Sequence, residues 1–169
     1  DKEAETSQYI YATTAVTDFV ASFALKAEFN DNDSYVQAIW GKPSANSLQG
    51  YAMRLTQDGK VVLTDKGNSV AGEYLIEGFE QGKSYDFTIA VKGNKAFVYF
   101  GKDRKLILSG SYMGGNGYFG WSGSHVRYSI CSYGVYSAEG NYKLLSGAIN
   151  AFDNERTGGV DLELSGGGR

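Results

Sequence analysis

The chain of 169 residues holds one cysteine, one proline and one histidine. A lone cysteine closes no internal disulfide, so whatever fold forms must rest on its packed core. Cys131, set beside Ile130, reads as an inert buried thiol. One histidine, His125, supplies neither a multi-histidine metal site nor a convincing Ser-His-Asp relay, and reads as a loop residue. No apolar run approaches the roughly 18 residues of a membrane span, and no signal peptide is visible. Charge of one sign is also missing. Sixteen Lys and Arg stand against 19 Asp and Glu, a formal net charge of −3, so no basic patch is available to neutralise phosphates. These absences argue against nucleic acid and membrane as partners.

What is abundant is glycine and short two-faced apolar segments. The 23 glycines are roughly twice the usual ~7% share. Hydrophobic residues make up 42% of the chain, enough for the core of one domain spanning residues 1–169. Alternation predicts strands at about 8–14, 19–29, 34–40, 51–57, 60–65, 84–92, 95–100, 104–108, 117–122, 126–137, 141–151 and a weaker one near 159–164. Turn chemistry separates them: Asn30-Asp-Asn-Asp33, Asp58-Gly59, Lys66-Gly-Asn68, Lys92-Gly-Asn-Lys95, Gly114-Gly-Asn-Gly117 and Glu139-Gly-Asn141. No segment of ten or more residues carries a helical period, so the fold class is all-β. This many half-buried strands must stack as a two-sheet antiparallel sandwich or close into a barrel. Residues 1–6 and 165–169 read as loose ends, and the chain is expected to be a piece of a longer protein.

Catalytic constellations are not visible. Glycoside hydrolysis needs two positioned carboxylates, and no Glu-x-Asp-x-x-Glu cluster sits on a strand. Asp161-Leu-Glu163 reads as solvated surface. Asn30-Asp-Asn-Asp33 is oxygen-rich but lacks the spaced ligands of a helix-loop-helix calcium site, leaving a plain turn and a structural calcium loop both open. No cofactor is required otherwise. The residues that suggest binding are aromatic and planar-polar. Trp40 and Trp121 each lie beside glycine, where an indole can be presented to a sugar ring, although Phe119 shares Trp121's side of the strand and leaves core packing open. Arg54 alternates with Ala52 and Thr56, opposite Tyr51, Met53 and Leu55. If those three face the core, its guanidinium points outward as a rigid fork for paired hydroxyls. Gln37, Glu73, Ser122 and His125 complete the candidate hydrogen-bonding set.

Four blocks in order carry a family resemblance: Asp33-Ser-Tyr-Val-Gln-Ala-Ile-Trp-Gly41, Gly50-Tyr-Ala-Met-Arg-Leu55, Gly82-Lys-Ser-Tyr-Asp-Phe-Thr-Ile-Ala-Val-Lys-Gly-Asn94 and Gly117-Tyr-Phe-Gly-Trp121. Over about residues 19–137 the chain resembles the concanavalin-A-like jelly-roll modules of fructan-degrading glycoside hydrolases, and among them the family 66 carbohydrate-binding modules. The resemblance implies a non-catalytic, secreted, extracellular module that recognises β-fructan (levan) at its terminal fructose and targets an attached catalytic domain to it. Three other classes stay open at this level: a laminin-G-like, calcium-dependent protein-interaction domain, a jelly-roll glycosidase or lyase, and a purely structural sandwich linking other domains.

Overall fold

The computed structural model describes residues 8–12, 15–44, 47, 49–65, 68–137, 149–152 and 160–162. Thirteen strands are present among them: β1 (Gln8–Ala12), β2 (Phe19–Phe29), β3 (Tyr35–Lys42), β4 (Tyr51–Thr56), β5 (Lys60–Asp65), β6 (Asn68–Leu75), β7 (Ser84–Lys92), β8 (Lys95–Phe100), β9 (Lys105–Ser111), β10 (Tyr118–Ser124), β11 (Val126–Ser137), β12 (Ile149–Phe152) and β13 (Val160–Leu162). They form a seven-stranded sheet, ordered β12-β1-β10-β3-β4-β5-β6, and a six-stranded sheet, ordered β13-β11-β2-β7-β8-β9. The all-β, two-sheet sandwich expected from alternation is therefore the fold. One pairing departs from it, since β13 runs parallel to β11.

Alternation decides which side chains make the core. Phe19, Ala21, Phe23, Leu25 and Ala27 of β2 face inward, as do Val36, Ala38 and Trp40 of β3, and Met53 and Leu55 of β4. A chain of edge-to-face ring contacts ties the sheets together. Phe19 lies 5.4 Å from Phe119, Phe119 5.0 Å from Trp121, and Trp121 5.4 Å from Phe23 and 5.8 Å from Tyr133, between ring centroids. Two glycines are demanded by backbone geometry. Gly93 opens the two-residue turn joining β7 to β8 with φ of 61°, while Asn94 keeps a negative φ. Gly117 sits where a Cβ would come within 2.5 Å of Gly41 Cα.

Strand β6 is absent from the sequence reading. Its Asn68-Ser-Val-Ala-Gly-Glu-Tyr-Leu75 alternates weakly and carries Gly72, as suits an edge strand whose ladder bonds, among the described residues, come from β5 alone. Cys131 is half-exposed rather than buried: it sits at the bulge of β11 between Cys131 and Gly134, on the outward side. The 141–148 part of the expected eleventh strand, the Glu139-Gly-Asn141 turn, Glu163 and both loose ends lie outside the described residues.

Candidate functional site

Strand order brings distant outward-facing residues into one row. In the seven-stranded sheet Ser122 pairs with Gln37, Gln37 with Arg54, Arg54 with Val62 and Val62 with Glu73, so the row crosses five strands from β10 to β6. Inward neighbours Trp121, Ala38, Met53 and Leu63 occupy the opposite face, which fixes the row on the outer face of this sheet. Three members are hydrogen-bonded in series. Gln37 Nε2 donates to Ser122 Oγ at 3.1 Å, and Arg54 Nε donates to Gln37 Oε1 at 3.1 Å. The Arg54 guanidinium carbon lies 3.8 Å from the centroid of the Tyr35 ring, which stands one row away. Gln37 and Ser122 are buried and Arg54 half-buried. Burial lowers the guanidinium pKa, with Tyr35 acting in the opposite sense, and Arg54 remains charged.

With Nε committed to Gln37, the two Nη groups of Arg54 have no hydrogen-bond partner among the described residues. A planar, half-desolvated fork held by a ring beneath and an amide beside it is preorganised for two adjacent oxygen acceptors. Glu73 closes the row as its one carboxylate, in an ion pair with Lys60 at 3.0 Å, both side chains being largely solvated.

The remaining sequence candidates are placed elsewhere. Trp40 and Trp121 are 0% and 1% exposed, so neither can stack on a sugar. Both face the core because they alternate with the inward residues of β3 and β10, and the flanking glycines do not turn them out. Trp40 Nε1 donates to the Met113 carbonyl at 2.7 Å, whereas Trp121 Nε1 is buried with no partner among the described residues. His125 occupies the one-residue turn between β10 and β11 with φ of 55°, and its Nδ1 lies 3.0 Å from Asp31 Oδ2. This hydrogen bond is the main cause holding the Asp31 carboxyl below its ordinary pKa. Asp31 Oδ1 in turn accepts from Asp33 N at 2.9 Å and lies 3.0 Å from Ser34 Oγ. Asp31 thus ties the Asn30–Asp33 loop to Ser34 and His125. Among the described residues no group of three or more His, Cys, Asp or Glu is arranged to hold a metal ion.

Two residues of this face went unrecognised in the sequence. Tyr35 could have been found from its position two residues before Gln37, on the same side of β3. Lys42 carried no such signal: Gly41, with φ of 68°, interrupts the alternation and turns Lys42 towards Ile39, where the Gly50 backbone lies over both. Lys42 is 1% exposed, and burial pushes its pKa down from 10.5 to about 8. Between those values the unfolded chain holds a proton that the folded chain has released, so stability rises with pH across about 8 to 10.5, and below that window the burial cost is constant. Urea denaturation at the two ends should show the wild type gaining on a Lys42→Met variant by on the order of 1–3 kcal/mol. Parallel profiles would mean that the ammonium is not desolvated.

No protein-family model matches the sequence, and no curated protein does. Solved structures do resemble it. A family 66 carbohydrate-binding module from Bacillus subtilis superposes with a TM-score of 0.56 at 16% identity, covering 72% of this chain and 81% of that one. A toad ovary galectin, solved with thio-digalactose, gives 0.53 at 10% identity over 77% of this chain and 98% of its own. Chicken galectin 2 gives 0.50 at 11% over 77% and 99%. At these identities the likeness establishes the fold: the chain is a jelly-roll β-sandwich.

Proposed function

We propose that the chain is a carbohydrate-binding module whose ligand lies on the outer face of the seven-stranded sheet, centred on Arg54. The observation that carries this reading is the Ser122–Gln37–Arg54 series, which ends in an uncommitted guanidinium fork stacked on Tyr35. Sugar hydroxyls are oxygen acceptors spaced for such a fork, and a half-buried site weakens the competition from water. Support also comes from the neighbouring folds, one a carbohydrate-binding module and another a galectin solved with a sugar.

Within that reading the ligand is β-fructan, levan, recognised at its terminal fructose. The module acts without catalysis and anchors an attached fructan hydrolase in the extracellular space. Because the tryptophans are spent on the core, affinity must come from directed hydrogen bonds to one sugar unit, not from a row of stacking platforms. Monovalent affinity is then on the order of 10–100 μM, and branched levan with many ends binds more tightly per chain. Titration with fructo-oligosaccharides of increasing length, and with levan whose ends are blocked, tests it. A length-independent affinity that disappears on blocking is expected; affinity that climbs with length and survives blocking would place the ligand along an internal segment.

A further inference from the structure

A second polar cleft lies on the other sheet, facing away from Arg54. It has a volume of about 200 Å³ and is lined by Ser22, Asp86, Thr88, Lys102 and Arg104, with backbone from Gly101. Phe23 and Phe87 point into the core, so alternation turns Ser22, Asp86 and Thr88 outward from β2 and β7. Ser22 and Thr88 are register partners, and their hydroxyls lie 3.1 Å apart. Each hydroxyl keeps further donor or acceptor capacity beyond that bond.

The cleft's rim is the tight turn joining β8 to β9. Gly101 N donates to the Asp86 carbonyl at 2.8 Å and Arg104 N to the Gly101 carbonyl at 3.1 Å, which anchors the turn on β7. Arg104 sits at φ of 55°, a conformation that glycine or asparagine holds with less strain. Strain kept at a cleft rim, in a residue bringing a guanidinium, is a pointer to use. Its charge environment is asymmetric. Lys102 Nζ, on a solvent-exposed side chain, pairs with Asp86 Oδ2 at 3.2 Å, while the Arg104 guanidinium has no side-chain partner among the described residues. Two cations and one carboxylate line the cleft, and a second carboxylate, Asp103, stands in the same turn with its Oδ1 beside Gly101.

We infer that this cleft is a second glycan site, taking a carboxylate-bearing sugar, a uronate unit, with its carboxylate on Arg104 and its ring hydroxyls on Asp86, Ser22 and Thr88. It rests on the reading of the chain as a glycan binder but not on the Arg54 site. The two sites lie on opposite faces of the sandwich, so one domain would hold two different glycan segments.

Isotope-labelled protein titrated with glucuronic acid and with a glucuronate oligosaccharide, glucose serving as the neutral control, tests this by amide shifts. Expected are shifts at Ser22, Asp86, Thr88 and residues 101–104 with the uronates and none with glucose, persisting in Arg54→Ala and weakening with salt. Arg104→Gly suits the positive φ, so it should keep or raise the thermal midpoint while weakening uronate binding about tenfold or more. Arg104→Lys should recover only part, having charge without the fork. The inference is overturned if shifts are absent, fall on the Arg54 row, appear equally with glucose or persist in Arg104→Gly. Fructan binding lost in Arg54→Ala with no uronate shifts would leave the Arg54 reading standing and sink this one alone.

Discussion

Trp40→Ala and Trp121→Ala are each expected to lower the unfolding free energy by about 3–5 kcal/mol, a large part of the roughly 5–15 kcal/mol that holds a domain folded. Both rings sit at the join of the two sheets, and emptying either site leaves a cavity that rigid strand ladders cannot close. The phenylalanine variants separate packing from hydrogen bonding. Trp40→Phe strips the donor from the buried Met113 carbonyl, whereas Trp121→Phe removes an N–H that has no partner among the described residues. Trp40→Phe should therefore cost about 1–3 kcal/mol more than Trp121→Phe. Urea midpoints with unchanged m-values measure this; equal costs would mean that Trp121 Nε1 is satisfied after all. In all four variants, glycan affinity per folded molecule should stay at the wild-type value.

Arg54→Ala should do the reverse, weakening glycan binding by about tenfold or more while leaving the fold in place, since ~1.4 kcal/mol is a factor of ten. The variant also leaves Gln37 Oε1 without its donor in a buried position, so a stability cost of ~1 kcal/mol accompanies it. Arg54→Lys keeps the charge but loses both the fork and the planar stack on Tyr35, and should bind nearly as poorly as alanine. Calorimetric titration of the three proteins decides. Wild-type affinity in Arg54→Ala would move the ligand off this face; wild-type affinity in Arg54→Lys would reduce the guanidinium to a point charge.

The outward aim of Arg54 was legible because it is a local property. Met53 and Leu55 flank it, a strand has period 2, and two apolar neighbours facing the core leave one direction for the residue between them. The same rule places Trp121 beside Phe119 in the core. The glycines around both tryptophans suggested exposure, but glycine frees the backbone without reversing the side on which a strand residue lies. Strand β6 was not legible, since an edge strand gains its ladder from a neighbour and needs little apolar alternation of its own.

Away from β6 and the breaks in alternation at Gly41 and Cys131, sequence alone determined which residues share a side of each strand and where the chain turns, because alternation and turn conformation are set by neighbours one to three positions away. Tertiary structure decided which strands lie side by side, and with that which outward side chains meet. Gln37 and Ser122 are 85 residues apart, and His125 is 94 from the Asp31 that holds it. Hairpin loops bring β3, β4 and β5 together, but β10 reaches β3 only in the folded sandwich, where the inward side chains of both strands pack in the core between the two sheets. Register across such a pair follows from burying Trp121 and Ala38 on the inner face. That burial sets Ser122 beside Gln37 on the outer face and completes the series that ends at Arg54.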